Sequence, residues 1–513
     1  MKKALALFLT LVTVLSLTAL AAVSSFAADG IPKADNAIFV ADSGDDNAAG
    51  TTPDAPVASL KTAFAKLPNG GVIVIVGVVT ITSENNIMPE HNGVITITSY
   101  YDGVDYRSKP YGTEPVTPRL NLCNATKQLD IFGDTVIDYL RINSGINEAG
   151  GIICDSIIAF NYHNVTIGAN IENTFEDAKG VPSDFDLDYS ANGNKGNNGR
   201  RTVPIIIFGN NSNGNDESPK AGGETITGEY TVNIAGGAWH SLRIGDRDIQ
   251  NRNTLDCRVT VNITGGTFTG WTGIFKNYGM DVMGVSQAGT TPNYVCDITI
   301  TGGTFYGEVV GFGSPGGVAV GDGIQQGTVN MNILGGKWIR DYQGNGPMVF
   351  AASTASVPYD GAKFNLKVDP SKLEFGTVEQ MSLAGLDGVT STLEMVTESD
   401  KLGFFGLDFY FDETYLPLIE KAPVETQATE TKPAETKPAE TNPAETKPAE
   451  TKPADTAKPA DTSKPASTEA TGTKPAGDTT AKGGIPAYVW AIVAVVVVAA
   501  IVAAVLAAKK KKN

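Results

Sequence analysis

Cysteine and histidine are scarce in this 513-residue chain. The four cysteines, Cys123, Cys154, Cys257 and Cys296, include no Cys-x-x-Cys pair, so nothing resembles a zinc spacing. His91 and His163 stand alone and read as structural. Basic charge is also short: 39 Lys and Arg against 56 Asp and Glu give −17. Setting aside two lysines near the N-terminus, four at the C-terminus and the nearly balanced segment 421–484, residues 28–420 carry about −22. Such a domain is repelled by nucleic acid and free polyanions. It can meet an acidic glycan only through bound cations or a local basic patch. Acidity also keeps an exported protein soluble.

Apolar runs long enough for a membrane occur at the two ends. Lys2 and Lys3 precede the apolar stretch Ala4–Leu20, and Ser25-Phe26-Ala27 forms a small-x-small cleavage site. Residues 1–27 therefore read as a secretory signal, with the mature chain starting at Ala28. Ile485–Ala508 is uncharged over 24 residues, enough to span ~30 Å of hydrocarbon as a helix. Tyr488 and Trp490 sit at its outer edge, and Lys509–Lys512 follow. Aromatic rings favour the interface and lysines the cytoplasmic side. The expected protein is single-pass, with its ectodomain outside and residues 509–513 as a cytoplasmic basic tail.

Residues 421–484 form the expected stalk. Glu430-Thr-Lys-Pro-Ala begins five tandem pentads ending at Ala454, one with Asn442 for Lys, and looser Lys-Pro-Ala units continue to Ala476. Proline at this frequency blocks helix and sheet, and too few apolar groups are present to offset ordering entropy. A disordered, extended spacer follows, reaching ~3.1 Å per residue.

Residues 28–420 are organised by repetition. Val232-Asn-Ile-Ala-Gly-Gly-Ala-Trp239, Val261-Asn-Ile-Thr-Gly-Gly-Thr-Phe268, Ile298-Thr-Ile-Thr-Gly-Gly-Thr-Phe305 and Met331-Asn-Ile-Leu-Gly-Gly-Lys-Trp338 are near copies. Such repeats indicate stacked coils. Period-two alternation before each Gly-Gly marks a strand with one buried face, and the glycines give a bend. Trp239, Phe268, Phe305 and Trp338 then form an aromatic ladder. Interior packing is favoured over a surface platform, because large rings dominate core energetics. Cys257 and Cys296 stand eight and six residues ahead of a first glycine. This shared parity leaves both a bridge and buried free thiols open. Upstream, Val57–Leu67 places Leu60, Ala63, Phe64 and Leu67 on one helical face. Asn69-Gly-Gly then turns into the strand Val72–Val76, so helix and strand together are expected to cover the open end of the coil stack.

Phe39-Val-Ala-Asp-Ser-Gly-Asp-Asp, Ala58-Ser-Leu-Lys-Thr-Ala-Phe and Asn69-Gly-Gly-Val-Ile-Val-Ile resemble the opening of right-handed parallel β-helix proteins of the pectate-lyase-like superfamily. Val94-Ile-Thr-Ile-Thr-Ser-Tyr-Tyr, Gly133-Asp-Thr-Val-Ile-Asp-Tyr-Leu and Asn164-Val-Thr-Ile-Gly-Ala-Asn extend the likeness over most of 37–350. The resemblance implies an all-β solenoid with an N-terminal capping helix and a C-terminal cap at about 361–420. Stalk and basic tail resemble Gram-positive surface proteins, but the Leu-Pro-x-Thr-Gly signal for wall attachment is missing.

The chemistry of such relatives is not matched. Pectate lyases carry Trp-Ile-Asp-His and Arg-x-Pro-x-x-Arg, and polygalacturonase-like hydrolases carry Asn-Thr-Asp, Gly-His-Gly and Arg-Ile-Lys; none occurs here. The local candidate is the segment after the first repeat, with His240, Arg243, Asp246, Arg247, Asp248 and Arg252. It reads either as a solvated loop with surface ion pairs or as a site for a cation or uronate. Asp42, Asp45, Asp46 and Asn47 supply oxygen ligands of the type that Ca²⁺ takes, without the remainder of an EF-hand, and a plain structural loop is favoured. The expected function is surface display and binding of a glycan or another surface. The alternative is an anchored polysaccharide lyase or glycoside hydrolase.

Overall fold

The computed structural model describes residues 36–404, apart from 83, 109–116, 123–127, 144–155, 175–202, 211–222, 247–252, 270–279, 287, 314–323, 340–347, 353–357, 377–379 and 387. All fall in the first of two compact units, Met1–Thr426. The signal, stalk and membrane segments expected at 1–27, 421–484, 485–508 and 509–513 lie outside the described residues, as do Cys123 and Cys154. No helix among the described residues is long and apolar enough to cross a membrane.

The chain is mostly β, and its large sheets are parallel. A twelve-stranded sheet runs from Ala37–Val40 through Gly71–Ile75, Ile95–Thr98, Thr135–Ile137, Val165–Ile167, Thr225–Ile234, Thr254–Ile263, Val295–Ile300, Thr328–Ile333 and Ala362–Val368 to Val389–Met395, with Gly289–Thr290 pairing Thr254–Ile263 off this path. Each strand pairs with the one a single coil later. We call this the long sheet. A nine-stranded back sheet runs from Gln128–Asp130 to Leu402–Phe404. A short third face is made of a four-stranded sheet in the early coils and a five-stranded sheet, Ala238–Trp239 to Glu374–Phe375, in the later ones. From 225 onward the chain visits long sheet, short face and back sheet in turn, an arrangement compatible with a parallel β-helix. Asn173 joins the two short-face sheets. Its side-chain N donates to Ala238 O at 3.0 Å and its side-chain O accepts from Ala238 N at 2.7 Å, so a carboxamide stands in for a backbone peptide.

Alternation produces the core. Ile38, Ile73, Ile97, Ile137, Ile167, Ile234, Ile263, Ile300 and Ile333 occupy one continuous register column, extended by Val368. All are buried. A fully buried aliphatic chain contributes roughly 1.5–3 kcal/mol, and here each also packs on its own kind above and below. The aromatic ladder points inward: Trp239, Phe268, Phe305 and Trp338 are fully buried. Phe305 stacks on Phe268 at 5.1 Å and on Trp338 at 4.5 Å between ring centroids. The indole N–H groups of Trp239 and Trp338 donate to Gly236 O and Gly335 O within their own bends.

Near the N-terminal end of the long sheet a short helix forms. The helix Leu60–Lys66 starts at Ser59, whose side chain accepts from Thr62 N, and it buries Leu60, Ala63 and Phe64. On the outer side of the first long-sheet strands, Phe39, Val72, Val74 and Val76 pack with Tyr101. At the other end the chain departs from expectation. The segment from 361, expected to be a cap, carries on the same sheets with Ala362–Val368, Glu374–Phe375 and Met381–Ala384. The repeat is hidden because Asp369 and the 3₁₀ turn Pro370–Lys372 occupy the place of the Gly-Gly bend.

Cys257 and Cys296 are free and buried. Cys296 stands opposite Val259, which puts Cys257 diagonally across from it. Diagonal neighbours sit roughly 7–8 Å apart, beyond the about 4.4–6.8 Å Cα separation of a disulfide. Burial, with Asp256 adding to it, pushes the Cys257 thiol up to about 12, and burial raises Cys296 as well. In a Cys123→Ser/Cys154→Ser background we expect neither thiol to react with an aromatic disulfide reagent at pH 8 until denaturant is added. Rapid native-state modification of either would contradict this packing.

Candidate functional site

The Gly-Gly bends line an open concavity. Each glycine of a pair is required for a different reason. A Cβ on Gly236, Gly265, Gly302 or Gly335 would lie 2.7, 2.2, 2.3 or 2.4 Å from the carbonyl oxygen of Ala169, Ala235, Thr264 or Thr301 in the preceding coil. The second glycines, Gly237, Gly266, Gly303 and Gly336, take φ of +78°, +90°, +98° and +95°, a region that side chains resist. Stacked in register, the bends floor a groove of about 790 Å³ running across the coils. Its polar lining comes from Asn173, Thr267, Thr301, Thr304, Lys337, Lys372 and Glu374.

Donors are left over in this floor. The backbone N–H groups of the eight glycines form no hydrogen bond with other described residues. The side chains of Lys337 and Lys372 are exposed and make no ion pair or hydrogen bond among the described residues. The arginines beyond the N-terminal end of the groove contrast with them. Arg107 is held by Asp105 at 2.7 Å and Glu172 at 2.9 Å, and Arg141 by Glu172 at 2.8 Å. Free cationic charge is thus presented at the C-terminal end, inside a strongly acidic domain.

Beside the groove, the outer face of the long sheet is a polar lattice. Asn262 Nδ2 donates to Asn233 Oδ1 at 2.9 Å, Asn330 to Asp297 at 2.7 Å, Asn365 to Asn330 at 2.8 Å, and Thr392 Oγ1 to Asn365 at 2.8 Å. Each such bond contributes about 1 kcal/mol net and fixes the register of neighbouring coils.

The predicted segment after the first repeat is not a solvated loop where it is described. Ser241–Gly245 is a back-sheet strand, and His240, Arg243 and Asp246 are buried. Arg247, Asp248 and Arg252 lie outside the described residues. Asp246 accepts from Tyr162 Oη at 2.5 Å, Asn210 N at 3.1 Å, Asn253 N at 2.8 Å and Asn253 Nδ2 at 3.1 Å. Burial raises its pKa against these donors. The carboxylate clips three coils together. Arg243 Nε donates to Ser241 Oγ at 3.1 Å.

The Asp42–Asn47 stretch uses its oxygens locally. Asp42 accepts from Thr80 N, Asp45 from Asn47 N and Nδ2, and Asp46 from Ala58 N, Ser59 N and Ser59 Oγ. Burial works to raise the Asp46 pKa, but the hydrogen bonds from Ser59, Thr62 and Ala58 hold it below the usual value. Among the described residues no group of three or more His, Cys, Asp or Glu could hold a metal ion.

One buried acid escaped the sequence reading. Asp130 points outward from the back sheet yet is 1 % exposed. It accepts from Gln128 Nε2 at 2.5 Å and Asn161 Nδ2 at 3.4 Å. Burial pushes it up to about 7 despite these donors. The folded state therefore keeps a proton that the unfolded chain releases near the ordinary aspartate value of 3.8. Stability is fully present below about pH 4 and is lost as pH rises to about 7, a total on the order of 2–4 kcal/mol. Asp130→Asn is expected to remove most of that slope in urea titrations from pH 4 to 8. An unchanged slope would assign it to other groups.

Comparison with protein-family models, curated proteins and solved structures finds no match for this chain.

Proposed function

We propose that this chain is a membrane-anchored cell-surface protein. A right-handed parallel β-helix of the pectate-lyase-like kind is carried outward on a Pro-rich stalk and binds glycan along its glycine-floored groove. The observation that carries the binding reading is the groove itself, which crosses successive coils and offers a linear polymer the same polar floor at every step. Right-handedness follows from the overwhelming preference of parallel crossovers for that hand. The anchor and stalk rest on Ile485–Ala508, Lys509–Lys512 and the Glu-Thr-Lys-Pro-Ala pentads.

Incubating purified Ala28–Glu420 with a polysaccharide panel, with and without Ca²⁺, tests the reading. Retention of at least one intact glycan is expected. Unsaturated or reducing-end products would replace binding by lyase or hydrolase activity. Deleting Ile485–Asn513 is expected to release the protein into the medium, and continued cell association after that deletion would refute the anchor.

A further inference from the structure

Three observations converge on one ligand chemistry, given the glycan-binding reading above, on which this inference rests. The groove floor presents pairs of successive glycine N–H groups in a turn conformation, without partners among the described residues. Successive amides arranged in this way form a concavity for anions. Among the described residues, Lys337 and Lys372 add two cations without an ion-pair partner to the lining, against the single carboxylate of Glu374. Among the described residues the lining contains no arginine, and the aromatic side chains of the bends are fully buried.

We propose that the groove binds a linear glycan or polyol chain carrying phosphodiester groups. Its phosphates would sit over the Gly265-Gly266 and Gly302-Gly303 amides and beside Lys337 and Lys372. Phosphate is favoured over carboxylate because planar, two-pronged carboxylate recognition is the work of arginine. Lysine acts as a point charge suited to a tetrahedral oxyanion. A nucleic acid shares the phosphodiester, but the described lining of the groove offers no ring for base stacking. The local basic patch that such an acidic domain needs is thereby supplied by the coils after the third repeat.

The test uses the full chain in detergent, titrated calorimetrically with poly(glycerol phosphate), dextran, polygalacturonate and a single-stranded oligonucleotide. Poly(glycerol phosphate) is expected to bind tightest and to weaken as salt rises. Lys337→Gln/Lys372→Gln should reduce its affinity at least tenfold with an unchanged melting temperature. Amide hydrogen exchange at Gly265, Gly266, Gly302 and Gly303 should slow on binding. Equal or tighter binding of polygalacturonate or oligonucleotide would overturn the assignment. So would a loss under twofold in the double variant, or glycine amides untouched by ligand. If dextran binds and poly(glycerol phosphate) does not, this inference fails while the glycan reading stands. If no polymer in this set or in the wider panel binds, both fail.

Discussion

Replacing Phe305 by alanine is expected to lower stability by about 3–5 kcal/mol, the range for truncating a large buried ring. Phe305 is fully buried and sandwiched, with Phe268 parallel on one side and Trp338 on the other. Truncation removes two stacking contacts, each worth about 0.5–1.5 kcal/mol beyond area burial, and leaves a gap bounded by rings that cannot collapse along the stacking axis. A coil stack is held by nearest-neighbour interfaces. The damage should therefore fall between the coils of Phe268 and Trp338 rather than spread evenly. Guanidinium denaturation should show a lower first midpoint, with the two halves of the stack separating into distinct transitions. Phe375→Ala, at the half-exposed next rung, should cost clearly less. A loss below about 1 kcal/mol for Phe305→Ala would mean that the ladder does not hold the coils.

The inward face of the fold was legible because period-two alternation reports directly which residues point inside. The isoleucine column follows from that rule, the helix face of Leu60, Ala63 and Phe64 from its helical counterpart, and the aromatic ladder from the alignment of the repeats. The rule is silent on whether an outward residue meets solvent. Asp130, Ala159, Ile207, Arg243, Met283 and Val310 share one outward register column of the back sheet, and every one is buried. The polar segment beginning at His240 thus looks like a surface loop in sequence and is, through Asp246, part of a buried clip. A similar limit applies to Cys257 and Cys296. Their parity was readable, but the two-residue offset that places them diagonally depends on pairing register. The groove was hidden for another reason. Gly-Gly reads as a bend, whereas the unpaired amides appear only once neighbouring coils are stacked and their hydrogen bonds assigned.

The two glycines of one bend should respond differently to alanine, and Gly302→Ala is expected to be the more damaging. Its new Cβ would lie 2.3 Å from Thr264 O and 3.0 Å from Thr264 C. Both are backbone atoms of the adjacent coil, so no side chain can rotate away. The coils must separate locally, breaking contacts such as Thr301 N to Ile263 O and Thr304 N to Gly266 O, at 2.9 and 2.8 Å. Overpacking of this kind costs about 1–3 kcal/mol and occasionally more, and a backbone obstacle places Gly302→Ala at or above the upper end. Gly303→Ala meets carbonyl oxygens at 3.2 Å and mainly incurs the strain of a side chain at φ +98°, about 1–2 kcal/mol. Urea midpoints of the two variants decide the order. If Gly303→Ala were the worse, backbone conformation rather than inter-coil approach would be the reason for the paired glycines. The groove would then owe its depth to the turn and not to the closeness of the stack. The same pair of variants separates fold from binding. A Gly303→Ala protein that remains folded but loses glycan affinity would place ligand contact at the floor, whereas retained affinity would move it to the threonine and lysine rim.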